Sequence, residues 1–350
     1  MPPDARGAPG ARRVPVTDVL VVSVDSTSGW RAAARELAQS LTRAGARVQA
    51  VAAGPVPGVR TFALTDFVQA RAARAACRRG ISEHRPAAVI YCSITAALLW
   101  PRPGAVWLDS IAAENRPGRH GVWQRTVERR RLARAPLVMT MSEGSLAPLQ
   151  RWGAVRDAIV VPSPVQRSGP EGPGARVPRD VAALTYAGNP EKKRLAFVLE
   201  AWQRVRRGDE RLVVAGLEQS LIGPVPEGVD VAGRLESDDY RALLRRARVF
   251  VAAPLREDYG IAPLEALADG CLLVTTPAPG PYAALELAKQ LDSRLVDHDL
   301  AGALRTALDE PLPGYPQRAQ ELLRPFGRAA VDRTIAEDVL PRLLAGSRCS

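Results

Sequence analysis

Lysine is nearly missing from this chain. Lys192, Lys193 and Lys289 stand against 45 arginines among 350 residues. A GC-rich coding bias accounts for the preference, yet it makes two adjacent lysines conspicuous. Cysteine is scarce too, at Cys77, Cys92, Cys271 and Cys349. No C-x-x-C pair occurs, which argues against a zinc site and a disulfide framework. The first three read as buried small apolar residues. Aromatics make up 5% of the chain and do not alternate with the arginines, so a nucleic-acid surface is disfavoured. No apolar run approaches the roughly 18 residues of a membrane span, and the dinucleotide fingerprint G-x-G-x-x-G is absent. Residues 1–17 are rich in Pro, Gly and Arg without an apolar core. They read as a disordered tail and not a signal peptide, which makes the cytoplasm the expected location.

What is present is a basic first half and a repeated strand–helix alternation. Residues 1–170 hold 24 arginines against 11 acidic residues, whereas residues 171–350 hold 24 basic against 26 acidic ones. The net charge of +11 therefore sits in the first half. Such a half suits anionic lipid headgroups at the inner membrane face or an anionic acceptor. With 46% hydrophobic residues, the chain can bury two cores, and its length predicts about two domains.

Residues 18–24, DVLVVSV, read as a buried strand followed by a loop that ends at Gly29. Residues 30–44 then carry apolar side chains at helical spacing, and 47–52 is the next strand. Further on, 65–79 reads as a helix and 87–92 and 105–108 as strands. Asp109 follows directly, at a carboxyl end, where a carboxylate serves as a general base, orients a nucleophile or caps the turn. The polar loop 114–121, ENRPGRHG, makes His120 the best placed of the three histidines. The helix expected over 124–134 spreads Arg129, Arg130 and Arg131 into a basic face, which suits solvent or an anionic membrane. Strands over 137–141 and 158–161 complete the parallel pattern. Residues 168–179, rich in Gly and Pro, mark a linker.

The second half starts anew with a strand over 182–187 and Gly188. Asn189, Lys192, Lys193 and Arg194 then stand between that strand and the helix LAFVLEAW. Strands over 211–216 and 229–233 and a helix capped by Ser237, with Asp238 and Asp239 in its first turn, lead to residues 249–276. There a buried strand ends at Pro254, a polar loop runs from 256 to 260, and a short helix carries Pro263 in its first turn and Gly270 at its exit. A second strand follows. Ligands of such sheets bind at the carboxyl ends of strands. The helix start near Gly260, Ile261 and Ala262 leaves amides without intrahelical partners, which makes a phosphate seat. Glu257 and Glu265 flank it with the spacing E-x7-E.

Residues 257–270, E-D-Y-G-I-A-P-L-E-A-L-A-D-G, resemble the E-G-F-G-x-P-x-x-E-A-M-A-x-G signature of retaining GT-B glycosyltransferases, in particular family 4. Asp258 and Tyr259 replace the usual Gly-Phe pair. The resemblance implies that Glu257 contacts the donor sugar, Gly260 and Ile261 hold its diphosphate, and Glu265 binds the ribose hydroxyls. Lys193 matches the family's diphosphate lysine, with Asn189 in place of its arginine and Lys192 or Arg194 assisting. Gly29 matches the glycine of the first loop, and Asp109 falls where the family commonly has an acceptor-side histidine. VPSPV over 161–165 resembles V-P-N-G-V, with Ser and Pro for Asn and Gly.

The implied architecture is α/β of GT-B type, two Rossmann-like units facing across a cleft. Its expected divisions are a tail over 1–17, an acceptor domain over 18–165, a linker over 166–180, a donor domain over 181–316, and a closing helix over 317–350 that crosses back. The implied activity is metal-independent transfer from a nucleotide-diphosphate sugar, a co-substrate and not a cofactor, to a glycan, lipid or small-molecule hydroxyl. Asp109 or His120 would act on the acceptor. A non-catalytic sugar-nucleotide binder, or a basic membrane-surface protein of the same fold, is the alternative.

Overall fold

Runs of β-branched and aliphatic residues such as Val19–Val22, fully buried, can be covered on both faces only in a parallel sheet sandwiched by helices. The computed structural model describes residues 17–345 apart from residues 26, 55, 57–60, 154 and 170–176. The first half forms β1 (Thr17–Ser23), β2 (Val48–Ala52), β3 (Pro86–Cys92), β4 (Ala105–Leu108), β5 (Val138–Thr140) and β6 (Ala158–Val160). They pair in parallel in the order β2-β1-β3-β4-β5-β6. The second half forms β7 (Val181–Tyr186), β8 (Leu212–Ala215), β9 (Val229–Gly233), β10 (Ala247–Ala252) and β11 (Leu272–Thr275). This sheet is also parallel, in the order β11-β10-β7-β8-β9. The α/β class expected from the strand–helix alternation is thus observed.

Each sheet reverses its winding once, between β1 and β3 and between β7 and β10. The crevice beyond the carboxyl ends at such a reversal is where open α/β sheets take ligands. Large side chains anchor each half. Trp107 and Trp202 are fully buried, and their indole N–H groups donate to Val161 O at 2.8 Å and Gly228 O at 3.0 Å, which removes the cost of burying a polar atom. The closing helical run returns to the first half: Arg328 reaches Glu36 at 3.1 Å, Asp332 accepts from Arg43 at 2.6 Å, and Arg342 reaches Asp157 at 3.0 Å.

Several local expectations need correction. The helix expected over 65–79 runs Phe62–His84, because Thr61 caps it by accepting from Leu64 N and Arg85 stops it in a left-handed turn at φ 47°. The helix expected from 124 begins at Val122. Ser237 is not a cap but the first residue inside its helix, which follows Glu236 without a side-chain cap. Apart from Thr17, the tail expected over 1–17 lies outside the described residues, as do residues 170–176 of the expected linker. No helix among the described residues is long and apolar enough to cross a membrane.

Candidate active site

The loops after β7 and β10 meet at the second winding reversal. In the first loop Asn189 closes a turn, its Oδ1 accepting from Lys192 N at 2.9 Å and its carbonyl from Lys193 N at 3.0 Å. Arg194, left-handed at φ 51°, then swings the chain into the helix Leu195–Val205. This bend sends the Lys193 Nζ to donate to Glu257 Oε2. The pair is mostly sheltered, with 28% and 15% of the two side chains exposed. Glu257 is held in turn by its own amide, which donates to Pro279 O at 3.1 Å, while Gly280 packs against the Glu257 carbonyl too closely for any side chain.

Gly260 then adopts φ 83° and ψ 54°, a left-handed conformation that turns the loop into the helix Ile261–Ala268. The first-turn amides of that helix have no intrahelical partners, and its dipole adds positive charge. Glycine is required here twice over, since a Cβ would come within 2.5 Å of Tyr282 Cε2. Gly260→Ala is expected to cost about 1–3 kcal/mol of stability and to displace Tyr282. Urea melts measure the cost, and an unchanged midpoint would refute the expectation.

One turn into the same helix, Glu265 lies 3.6 Å from Arg241, which also donates to Asp269 at 2.7 Å. Burial pushes the Glu265 carboxyl up to about 7, Asp269 adds to the shift, and Arg241 holds it back. Tyr240 Oη is buried in the electrostatic reach of Glu265 and makes no hydrogen bond among the described residues. Its ring stands edge-on to Tyr186, with centroids 5.7 Å apart. A carboxylate and a hydroxyl with spare hydrogen-bonding capacity beside an aromatic pair suit a hydroxylated, planar ligand.

The first half supplies the opposite wall. Asp109 follows β4, and its carbonyl accepts from Ser145 Oγ. Burial, then the charges of Asp258 and Glu257, push its carboxyl up to about 7. The three carboxylates therefore converge across the cleft. Arg116 binds Asp66 with two hydrogen bonds, at 2.9 and 3.2 Å, and lies in the field of Asp258 and Asp109. Arg256 spans the cleft, 3.3 Å from Glu114 and 2.8 Å from Asp258. Two more contacts join the walls: Tyr259 Oη donates to Ser163 O at 3.0 Å, and Ser142 Oγ donates to Pro281 O at 3.3 Å. Gly29, in the first turn of Ser28–Arg43, faces the helix start, and a Cβ on it would lie 3.7 Å from Ile261 Cγ2.

Solved structures share this arrangement of two parallel sheets about a cleft. Sucrose-phosphate synthase from Thermosynechococcus elongatus superposes with a TM-score of 0.67 at 16% identity, over 94% of this chain and 100% of its own. WaaG, a glycosyltransferase involved in lipopolysaccharide biosynthesis, gives 0.62 at 16% identity, over 95% and 99% of the two chains. The glycotransferase of kitacinnamycin gives 0.56 at 16% identity, over 93% and 99%. The chain has the GT-B fold. Within it, residues 181–310 match the family described as glycosyl transferases group 1, so the second sheet is the core of a glycosyltransferase domain. No curated protein matches the chain in sequence.

In this GT-B cleft Lys193, Glu257, Asp258, Gly260, Ile261 and Glu265 come together around one helix start, with Asp109 and Gly29 opposite. Asn189 and Lys192 are exposed and shape the turn behind Lys193. Gly188 leaves room for Tyr186, whose Oη would be 2.7 Å from an added Cβ. The Tyr259 side chain is buried, and its hydroxyl donates to the Ser163 carbonyl. His120 lies in the single tight turn Arg119–Gly121. Arg241, Tyr240, Arg256, Arg116 and Tyr282 were not singled out from sequence as site residues. Their roles depend on partners 22 to 142 positions away, as in Tyr282 with Gly260, Arg241 with Glu265 and Arg256 with Glu114, and local patterns carry no such signal.

Proposed function

We propose that this chain is a retaining, metal-independent family 4 glycosyltransferase that moves a sugar from a nucleotide-diphosphate sugar to an acceptor hydroxyl. The observation that carries the reading is the Lys193–Glu257 ion pair set before the Gly260 helix start. A donor fits it by exchange: its diphosphate takes Lys193 and the free amides, and its sugar hydroxyls take Glu257. Glu265 then accepts from the ribose hydroxyls, which gives the E-x7-E spacing its sense. As the bond from the anomeric carbon to the diphosphate breaks, negative charge grows on the leaving oxygen, where Lys193 and the helix dipole already point. The acceptor oxygen bonds to the anomeric carbon and passes its proton to Asp109. The cross-cleft contacts of Arg256, Tyr259 and Ser142 exclude water and favour transfer over hydrolysis.

The test is a thermal-shift panel of UDP, GDP and ADP with their sugar conjugates. One nucleotide sugar should stabilise the protein selectively. Glu265→Ala should weaken the response to the free nucleotide as well, whereas Glu257→Ala should keep that response and lose the increment from the sugar. Equal loss in both variants, or no stabilisation by any conjugate, would remove the support for this assignment of roles.

A further inference from the structure

Among the described residues six large apolar side chains are exposed, and three of them gather at one place: Leu64 at 47%, Phe67 at 40% and Val122 at 53%. The helices Phe62–His84 and Val122–Leu132 begin side by side there. Gln124 Nε2 donates to Asp66 at 3.4 Å, and the Phe67 ring stands edge-on to Trp123 with centroids 6.2 Å apart. Leu64 lies one turn before Phe67, and Val122 precedes Trp123.

Each helix presents one exposed stripe with the same polarity. The first reads Leu64, Phe67, Arg71, Ala75, Arg78, and the second reads Val122, Thr126, Arg129, Arg130. Both helices run antiparallel to the strands they connect, so the apolar ends lie at the carboxyl edge of the first sheet, beside the cleft. The basic ends trail away from it. Among acidic residues on these helices, Asp66 and Glu128 are buried, and exposed Glu83 sits at the far end of the first helix. The expected face of Arg129, Arg130 and Arg131 is corrected in one member: Arg131 turns inward, donating to Leu98 O at 2.9 Å and stacking 5.1 Å from the Trp100 ring centre.

Exposed apolar side chains gathered at one end of two helices whose other ends are cationic are not what a solvated face needs. We propose that this helix layer docks on an anionic phospholipid bilayer, with Leu64, Phe67, Val122 and Trp123 entering the headgroup region and Arg71, Arg78, Arg129 and Arg130 lying over the lipid phosphates. The chemistry is that of an amphipathic interfacial surface: apolar area supplies depth and arginine supplies selection for negative charge. Docked this way, the cleft opens at the bilayer edge, where an acceptor held in the membrane would present its hydroxyl. The inference stands independently of the donor chemistry.

Sedimentation with vesicles tests it. The protein should partition onto vesicles of phosphatidylcholine and phosphatidylglycerol in equal parts, and not onto phosphatidylcholine alone. Arg129→Gln with Arg130→Gln should lower the partition about fivefold per charge at low salt. Phe67→Ser with Val122→Ser should abolish the remainder seen at higher salt, and Leu64→Ser should act in the same direction. The nucleotide-induced thermal shift of every variant should match that of the wild type, which separates lost docking from lost folding. The proposal is overturned by equal partition onto both vesicle types, by full retention in the apolar variants, by displacement with inorganic phosphate at low concentration, or by a preference for an RNA homopolymer over the anionic vesicle.

Discussion

Lys193→Ala lowers kcat by about 10²- to 10³-fold, the usual loss when one preorganised group facing developing charge is removed. Two separate effects are expected, one on the stability of the donor-free protein and one on the rate. Without a donor, Lys193 and Glu257 neutralise each other in a sheltered spot, so the variant leaves Glu257 unpaired there, at a cost of about 1 kcal/mol. On the proposed roles, the leaving diphosphate would also lose a facing cation, which Asn189, at the position that carries an arginine in the resembling family, does not replace. Initial rates at saturating donor, alongside nucleotide thermal shifts, separate the two. Lys193→Arg should recover only part of the rate, since a planar guanidinium on a different stem does not reproduce a point charge at the same place. A full rate in Lys193→Ala would move the stabilising role to the helix start alone.

Why Lys193 and the 257–270 segment were legible, and Arg241 was not, follows from the range of the forces involved. Gly260, Pro263 and Gly270 report backbone conformation, which is local, so a strand, a loop, a short helix and its exit could be read in order. The structure places φ 83° at both Gly260 and Gly270. Lys193 stood out because lysine is so rare in this chain. Arg241 becomes a site residue only because the helix Ser237–Arg246 packs against Ile261–Ala268, bringing it to Glu265 and Asp269. Arg256 acquires its meaning from Glu114, across the cleft. Arg131 illustrates the converse. Its spacing suggested a solvent face shared with Arg129 and Arg130, yet the Leu98 carbonyl and the Trp100 ring offer a better-satisfied position inward.

Asp109→Asn carries the other large effect, a drop in kcat of about 10²- to 10⁴-fold if its carboxylate takes the acceptor proton. The pH dependence gives the sharper readout. Burial and the facing charges of Asp258 and Glu257 raise this carboxyl from 3.8 to about 7. A base must be ionised to act, so kcat/KM of the wild type should climb with pH, level off above about 7, and lose that limb in Asp109→Asn. Stability should move the opposite way. A carboxyl whose folded-state pKa is raised binds its proton more tightly in the native protein, so its contribution is complete below the unfolded value near 4 and is lost as pH rises through about 7. Asparagine stays neutral throughout. The difference in Tm, variant minus wild type, should therefore grow between pH 4 and about 7 and then hold constant. Two opposed pH trends from one substitution are difficult to obtain from a residue that only caps a turn. If the rate limb survives in Asp109→Asn, it belongs to another group, and Glu265, whose carboxyl burial also pushes up to about 7, becomes the residue to replace next.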